Sequence, residues 1–110
     1  MAVAHLERAG VTVLDRNWRP TGVGLRGELD VVGVEAGVVV VVEVKTRRRA
    51  TPAGPLEAIT PRKLARLRSL AAAWRASHDV AARGVRIDAV GVWWSDGGGR
   101  ATVEHLRGIG

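Results

Sequence analysis

The chain has 110 residues, 46% of them apolar, and a formal net charge of +6 from 17 basic and 11 acidic side chains. That length supports one hydrophobic core, and the absence of cysteine excludes disulfides and every thiolate-bound metal or cluster. The longest apolar run, Val38 to Val42, is far too short to span a bilayer, and the first residues do not have the pattern of a secretion signal, so a cytoplasmic address without a membrane partner is expected. The basic excess suits a polyanionic partner, because neutralised phosphates release counterions. A GC-rich coding sequence would enrich Arg, Ala, Gly and Val in the same way.

In chain order, residues 2–9 read as a helix ending near Gly10, with Val3 and Leu6 on one face. Val11 to Leu14 reads as a short strand, Arg16 to Pro20 as a turn, and Gly22 to Gly27 as a loop. Gly27 to Val34 and the β-branched stretch Val38 to Thr46 are expected as strands, with a turn at Glu35-Ala36-Gly37. Residues 47–59 are irregular and basic, broken by Pro52, Gly54 and Pro55. A helix opens at Thr60, a good N-cap, with Pro61 in the favoured first position. Leu64, Leu67, Ala71 and Trp74 form its apolar stripe, and Gly84 supplies a stop. Val85 to Trp94 reads as a strand, 95–100 as a glycine-rich hairpin turn, and Ala101 to Leu106 as a returning edge strand. Helix, three strands, helix, two strands predicts one α/β domain over residues 1–110.

Side chains two apart on a strand share a face. Glu28 and Asp30 therefore point the same way, as do Glu43 and Lys45. The third strand reads as five valines, then Glu43, Val44 and Lys45, so its charges interrupt a sequence fit for burial on both faces. An ionised group buried without a partner is costly, which makes such charges candidates for use. If the two strands pair antiparallel, Asp30, Glu43 and Lys45 meet within a few ångströms. Mg²⁺ or Mn²⁺ takes oxygen ligands, and Asp30, Glu43 and the carbonyl of Val44 would be the protein's share. Lys45 would orient or deprotonate a water, or offset charge on a phosphoryl group in transfer. A plain surface ion pair at a strand end would produce the same short string.

The blocks Asp15-Arg16-Asn17-Trp18-Arg19, Gly27-Glu28-Leu29-Asp30 and Val42-Glu43-Val44-Lys45-Thr46-Arg47 closely resemble the bacterial YraN family of uncharacterised proteins. Gly54-Pro55, the run Glu57 to Lys63 and the late Arg86-Ile87-Asp88 continue the resemblance over nearly the whole chain. It implies a restriction-endonuclease-like fold: an αβββαβ core with a mixed central sheet flanked by helices, and here a C-terminal edge strand. It also implies a relation to Holliday-junction resolvases within the PD-(D/E)xK nucleases, with Asp30, Glu43 and Lys45 at the catalytic positions. The family also has a Gly-Glu near the start of its first helix. Aligning Leu6 and Gly10 places that pair before Met1, so Glu7 does not inherit its role. Where the family favours glutamine after the helix lysine, this chain has Leu64 after Lys63.

Arg47, Arg48 and Arg49 leave the strand beside Lys45, and Arg62, Lys63 and Arg66 occupy the first turns of the second helix. Together they would line a groove that tracks phosphates, or else form an ordinary solvated face. The literal G-x-G-x-x-G of Gly22 to Gly27 is followed by a strand rather than a helix, so no nucleotide cofactor is expected and the loop is read as the mouth of the site. Trp74 is expected in the core, and His5, His78 and His105 are read as scattered helix and edge residues. Three functions stay open at this point. One is a Mg²⁺- or Mn²⁺-dependent endonuclease acting on DNA, branched or flapped substrates included. The others are a nucleic-acid-binding module of this fold with decayed catalysis, and a basic protein-interaction domain. Resolvase-like relatives act as dimers on two-fold substrates, which raises a homodimer as an expectation.

Overall fold

A computed structural model describes residues 1–22, 24–48, 59–94 and 101–110. The elements are α1 (Ala2–Arg8), β1 (Thr12–Trp18), β2 (Leu29–Glu35), β3 (Val38–Arg48), α2 (Pro61–Ser77), β4 (Val85–Trp94) and β5 (Thr102–Leu106). The five strands form one mixed sheet in sequential order, with β3 and β4 parallel and all other neighbours antiparallel. A parallel pair needs a crossover, and α2 lies on that connection. The expected α/β order is the observed one.

The valine run of β3 is apolar throughout because both faces of the sheet are covered. Val39 and Val41 pack with Leu67, Leu70, Ala71 and Trp74 of α2, while Val40 and Val42 pack with Leu6 and Val11 on the α1 side. Each fully buried Val or Leu contributes roughly 1.5–3 kcal/mol of transfer free energy. Trp74 is 1% exposed, and its indole N–H donates to Asp15 Oδ2 at 3.0 Å, so the largest core side chain keeps its polar atom satisfied.

Between β2 and β3 the turn places Ala36 and Gly37 at φ 49° and 78°, the left-handed pair that matches the twist of a two-residue hairpin. This hairpin sets the register, with Val31 opposite Val42 and Glu35 opposite Val38.

Two elements differ from their sequence reading. Strand β1 continues to Trp18 instead of turning at Arg16, because the β2 edge pairs with it as far as Trp18 and Leu29. A register shift between Val13 and Asp15 and a left-handed Asn17 (φ 51°) absorb the irregularity that the turn-like residues suggested. Helix α2 stops at Ser77, well before Gly84, and His78 is already extended. The Ser77 hydroxyl donates to the carbonyls of Ala73 and Trp74, and His78 Nδ1 bonds the Trp74 carbonyl at 2.7 Å, so side chains satisfy the last turn. The expected hairpin turn at 95–100 and most of the basic stretch before Thr60 lie outside the described residues. Among the described residues, no helix is long and apolar enough to cross a membrane.

Candidate functional site

The last ladder pair of the β2–β3 hairpin is Val31 with Val42. One residue further along that register, Asp30 faces Glu43, and strand alternation keeps Lys45 on the same side, towards α2. Asp30 Oδ2 accepts the Val44 N–H at 2.8 Å, and Asp30 and Glu43 lie within hydrogen-bonding reach of each other. The structure thus brings together Asp30, Glu43 and Lys45.

It adds a fourth group. Thr60 caps α2, with its hydroxyl accepting the Lys63 N–H at 3.2 Å, and the Lys63 side chain reaches back to Glu43 Oε2 at 3.0 Å. Its head group is also within hydrogen-bonding reach of Lys45. Lys63, expected on the groove with Arg62 and Arg66, lines the cleft with them and also pairs with the acidic cluster. A cation in the first turn of a helix with no acidic residue there is the signal that could have revealed it, since the dipole disfavours it.

Burial pushes the Asp30 carboxyl up from 3.8 to about 6, the neighbouring Glu43 adds to the rise, and the Val44 N–H opposes it. The hydrogen bond with Lys63 holds Lys45 below the ordinary lysine range, burial acts in the same direction, and Glu43 pulls the other way. Lys63 is shifted up. Burial would lower it, but its bonds to Lys45 and Glu43 outweigh that.

Asp30, Glu43 and Lys63 form part of a cleft of about 450 Å³ between the start of β2 and the start of α2, whose lining also includes Thr60, Arg62 and Arg66, with Lys45 beside Glu43 and Lys63. Gly27 makes the close approach that shapes it. At φ +130° a Cβ would stand 2.9 Å from Leu70 Cδ1, so any side chain there would be strained in its backbone and would crowd the Leu70 tip. Glu28 also lines the cleft, but it is paired with Arg19 at 3.1 Å.

The expected groove residues divide. Arg62 and Arg66 line the cleft and have no ion-pair partner among the described residues. Arg47 shares the Glu43 side of β3, whereas alternation sends Arg48 to the opposite face, where its guanidinium lies 5.0 Å over the Trp94 ring. Arg49 lies outside the described residues.

The donor set fits a hard divalent cation. Two apposed carboxylates, one with proton affinity raised by burial and by the other, offer the oxygen ligands that Mg²⁺ or Mn²⁺ takes. Among the described residues, no three His, Cys, Asp or Glu side chains cluster in a way that could hold a metal ion. The remaining coordination would therefore come from a carbonyl such as that of Val44, from water and from a phosphate oxygen.

A mixed sheet covered by one helix on each side, with an acid-acid-lysine cluster where β2 begins beside the later half of β3, defines an α/β protein compatible with the nuclease-like αβββαβ core. The model of the uncharacterised protein family UPF0102, the YraN family, matches residues 1–92, and the chain belongs to that family. A UPF0102 protein of Beutenbergia cavernae is 51% identical over 105 residues, covering 96% of this chain and 85% of that protein. One from Kineococcus radiotolerans is 48% identical over 110 residues, 99% of this chain and 86% of that protein, and one from an Arthrobacter species is 42% identical over 110 residues, 100% and 89%.

Proposed function

We propose that this chain is a divalent-cation-dependent nuclease of the PD-(D/E)xK type that acts on nucleic acid, with branched or flapped DNA as the first substrate class to test. The observation that carries the reading is the apposition of Asp30 and Glu43 beside two lysines, next to arginines that have no acidic partner among the described residues.

Asp30 and Glu43, with the Val44 carbonyl, would hold Mg²⁺ or Mn²⁺. When bound, the cation supplies charge neutralisation at a phosphodiester and polarises a water for attack. Lys45 stands beside Glu43 and Lys63 with a lowered proton affinity, which suits it to take a proton from the attacking water or to offset charge on the phosphoryl oxygens. Arg62 and Arg66 bind backbone phosphates on the flank of the cleft, giving affinity without base selectivity. Gly27 keeps the loop wall against α2, so the cleft holds its shape around the substrate.

Cleavage of labelled junctions, flaps, duplexes and single strands with Mg²⁺ or Mn²⁺ tests this directly. Wild type should cut at least one class and Asp30→Asn none, and a folded wild type that is inert on all of them with both metals overturns it. A second reading, a polyanion-binding module without catalysis, is favoured by the ion pair from Lys63 to Glu43, which neutralises one of the two carboxylates. It predicts salt-dependent DNA binding that divalent cations leave unchanged.

A further inference from the structure

Lys63 breaks a local rule. It stands in the first turn of the 17-residue α2, after Arg62, with no acidic residue in that turn. The dipole makes this the least favourable end of a helix for a cation. The cap is secured independently by the Thr60 hydroxyl on the Lys63 amide, so the side chain is not needed to start the helix. Instead it covers a carboxylate that is almost out of solvent: the Glu43 side chain is 8% exposed, that of Lys63 32%.

An ammonium on Glu43 Oε2 and a divalent cation on the same carboxylate compete. The ammonium occupies one of the two oxygens, and two positive charges at that distance repel strongly in a partly buried cleft. Asp30 comes from β2 and Glu43 from β3, whereas Lys63 comes from a different layer and has a flexible four-carbon stem. Its head can leave Glu43 while the backbone stays pinned by Thr60. The same cleft is lined by Arg62 and Arg66, so a phosphate held there comes within the sweep of that stem.

On the proposed reading of the site, we infer that Lys63 is an exchangeable counter-ion. It neutralises Glu43 until a divalent cation takes the carboxylate, and then moves to a phosphate oxygen of the polyanion in the cleft. Cation binding and polyanion binding are thereby coupled, and by linkage each strengthens the other.

The test needs no turnover. Mn²⁺ is titrated calorimetrically into wild type, Lys63→Met and Lys63→Gln, the last retaining a hydrogen-bond donor but no charge, with folding checked by circular dichroism. Binding of a labelled single-stranded DNA oligonucleotide is then measured with and without Ca²⁺. Removing the competing ammonium should tighten Mn²⁺ binding by roughly fivefold in both variants. The oligonucleotide should bind wild type at least about fivefold tighter when Ca²⁺ is present. Both variants should lose most of that gain, so that their affinities with and without Ca²⁺ lie closer together than those of wild type. Mn²⁺ affinity that is unchanged or weaker in the variants, yet abolished by Asp30→Asn, overturns the exchange and leaves the metal site standing. Equal loss of oligonucleotide binding with and without Ca²⁺ overturns it as well, since Lys63 would then contact phosphate regardless of the cation. If wild type itself binds no Mn²⁺, the site reading and the exchange fall together.

Discussion

The two faces of the sheet each bury carboxylates, and they treat them in opposite ways. On the α1 side, Asp88 is fully buried and accepts four hydrogen bonds: from Arg86 Nε at 2.8 Å and Nη2 at 3.0 Å, from His105 Nε2 at 2.9 Å and from the Gly108 N–H at 3.0 Å. Arg86 also reaches Glu35 at 2.7 Å, Arg107 binds the same Glu35 oxygen, and His105 Nδ1 meets His5 Nε2 at 3.2 Å. Burial would raise Asp88, yet Arg86, the Gly108 N–H and His105 hold it below the ordinary carboxylate range, and Arg86 likewise lowers Glu35. On the α2 side, burial raises the proton affinity of Asp30, the facing Glu43 adds to the rise, and a single backbone N–H is all that opposes it from the hydrogen-bonding side. A saturated carboxylate ties α1, β4 and β5 together, whereas one left short of donors has capacity for a ligand. Perturbed groups of the second kind are the better markers of function.

The largest expected effect breaks the saturated side. Asp88→Ala leaves Arg86 and His105 facing an emptied pocket and should cost about 3–5 kcal/mol in urea or thermal unfolding. A loss below about 1 kcal/mol would mean that the network is not a clamp.

Next comes Lys45→Ala, which should lower cleavage by about 10²–10³-fold, as loss of a charge-stabilising group does, while calorimetric Mn²⁺ affinity stays within about threefold because an ammonium is no ligand. Parallel loss of both would place Lys45 in the support of the carboxylates instead.

Asp30→Asn should move stability in the direction opposite to Asp88→Ala. Asp30 has a folded value of about 6 against 3.8 in the open chain, so above pH 6 the native state carries an ionised group it disfavours. The neutral amide removes that burden while still accepting the Val44 N–H. Without metal, the variant should be more stable by roughly 1–2 kcal/mol at about pH 8, after allowance for partial exposure. The gain should shrink as pH falls through 6 and vanish below about pH 4, where the wild-type carboxyl is protonated in both states. Urea titrations at the two pH values check it, and a pH-independent difference would remove the raised proton affinity that burial and Glu43 give Asp30.

The smallest effect belongs to the flank of the cleft. Arg66→Ala should leave unfolding within about 0.5 kcal/mol of wild type, because the residue is exposed and has no ion-pair partner among the described residues. It should flatten the slope of log K against log salt for duplex DNA by about 0.9, one phosphate contact. An unchanged slope would take Arg66 out of the nucleic-acid path.

The element order and the layer architecture could be read from local chemistry. Valine-rich stretches with charges two apart, the Ala36-Gly37 turn and the Thr60-Pro61 cap all act over a few residues, and each appears where its sequence places it. Periodicity alone put Glu43 and Lys45 on one face. What set Asp30 against Glu43 was the hairpin register, and what brought Lys63 on to Glu43 was the packing of α2 over β3, neither of which a local period encodes. The same holds for the clamp. His5 and His105, a hundred positions apart, read as unrelated residues until β5 pairs with β4 and α1 covers that face. Strand β1 ran on to Trp18 through turn-like residues because an edge strand's hydrogen bonds to its neighbour outweigh local preference. Side-chain type and spacing thus determined the elements and named the charges. Only the tertiary structure decided which carboxylate is saturated and which is left open, because that depends on donors brought in from distant parts of the chain.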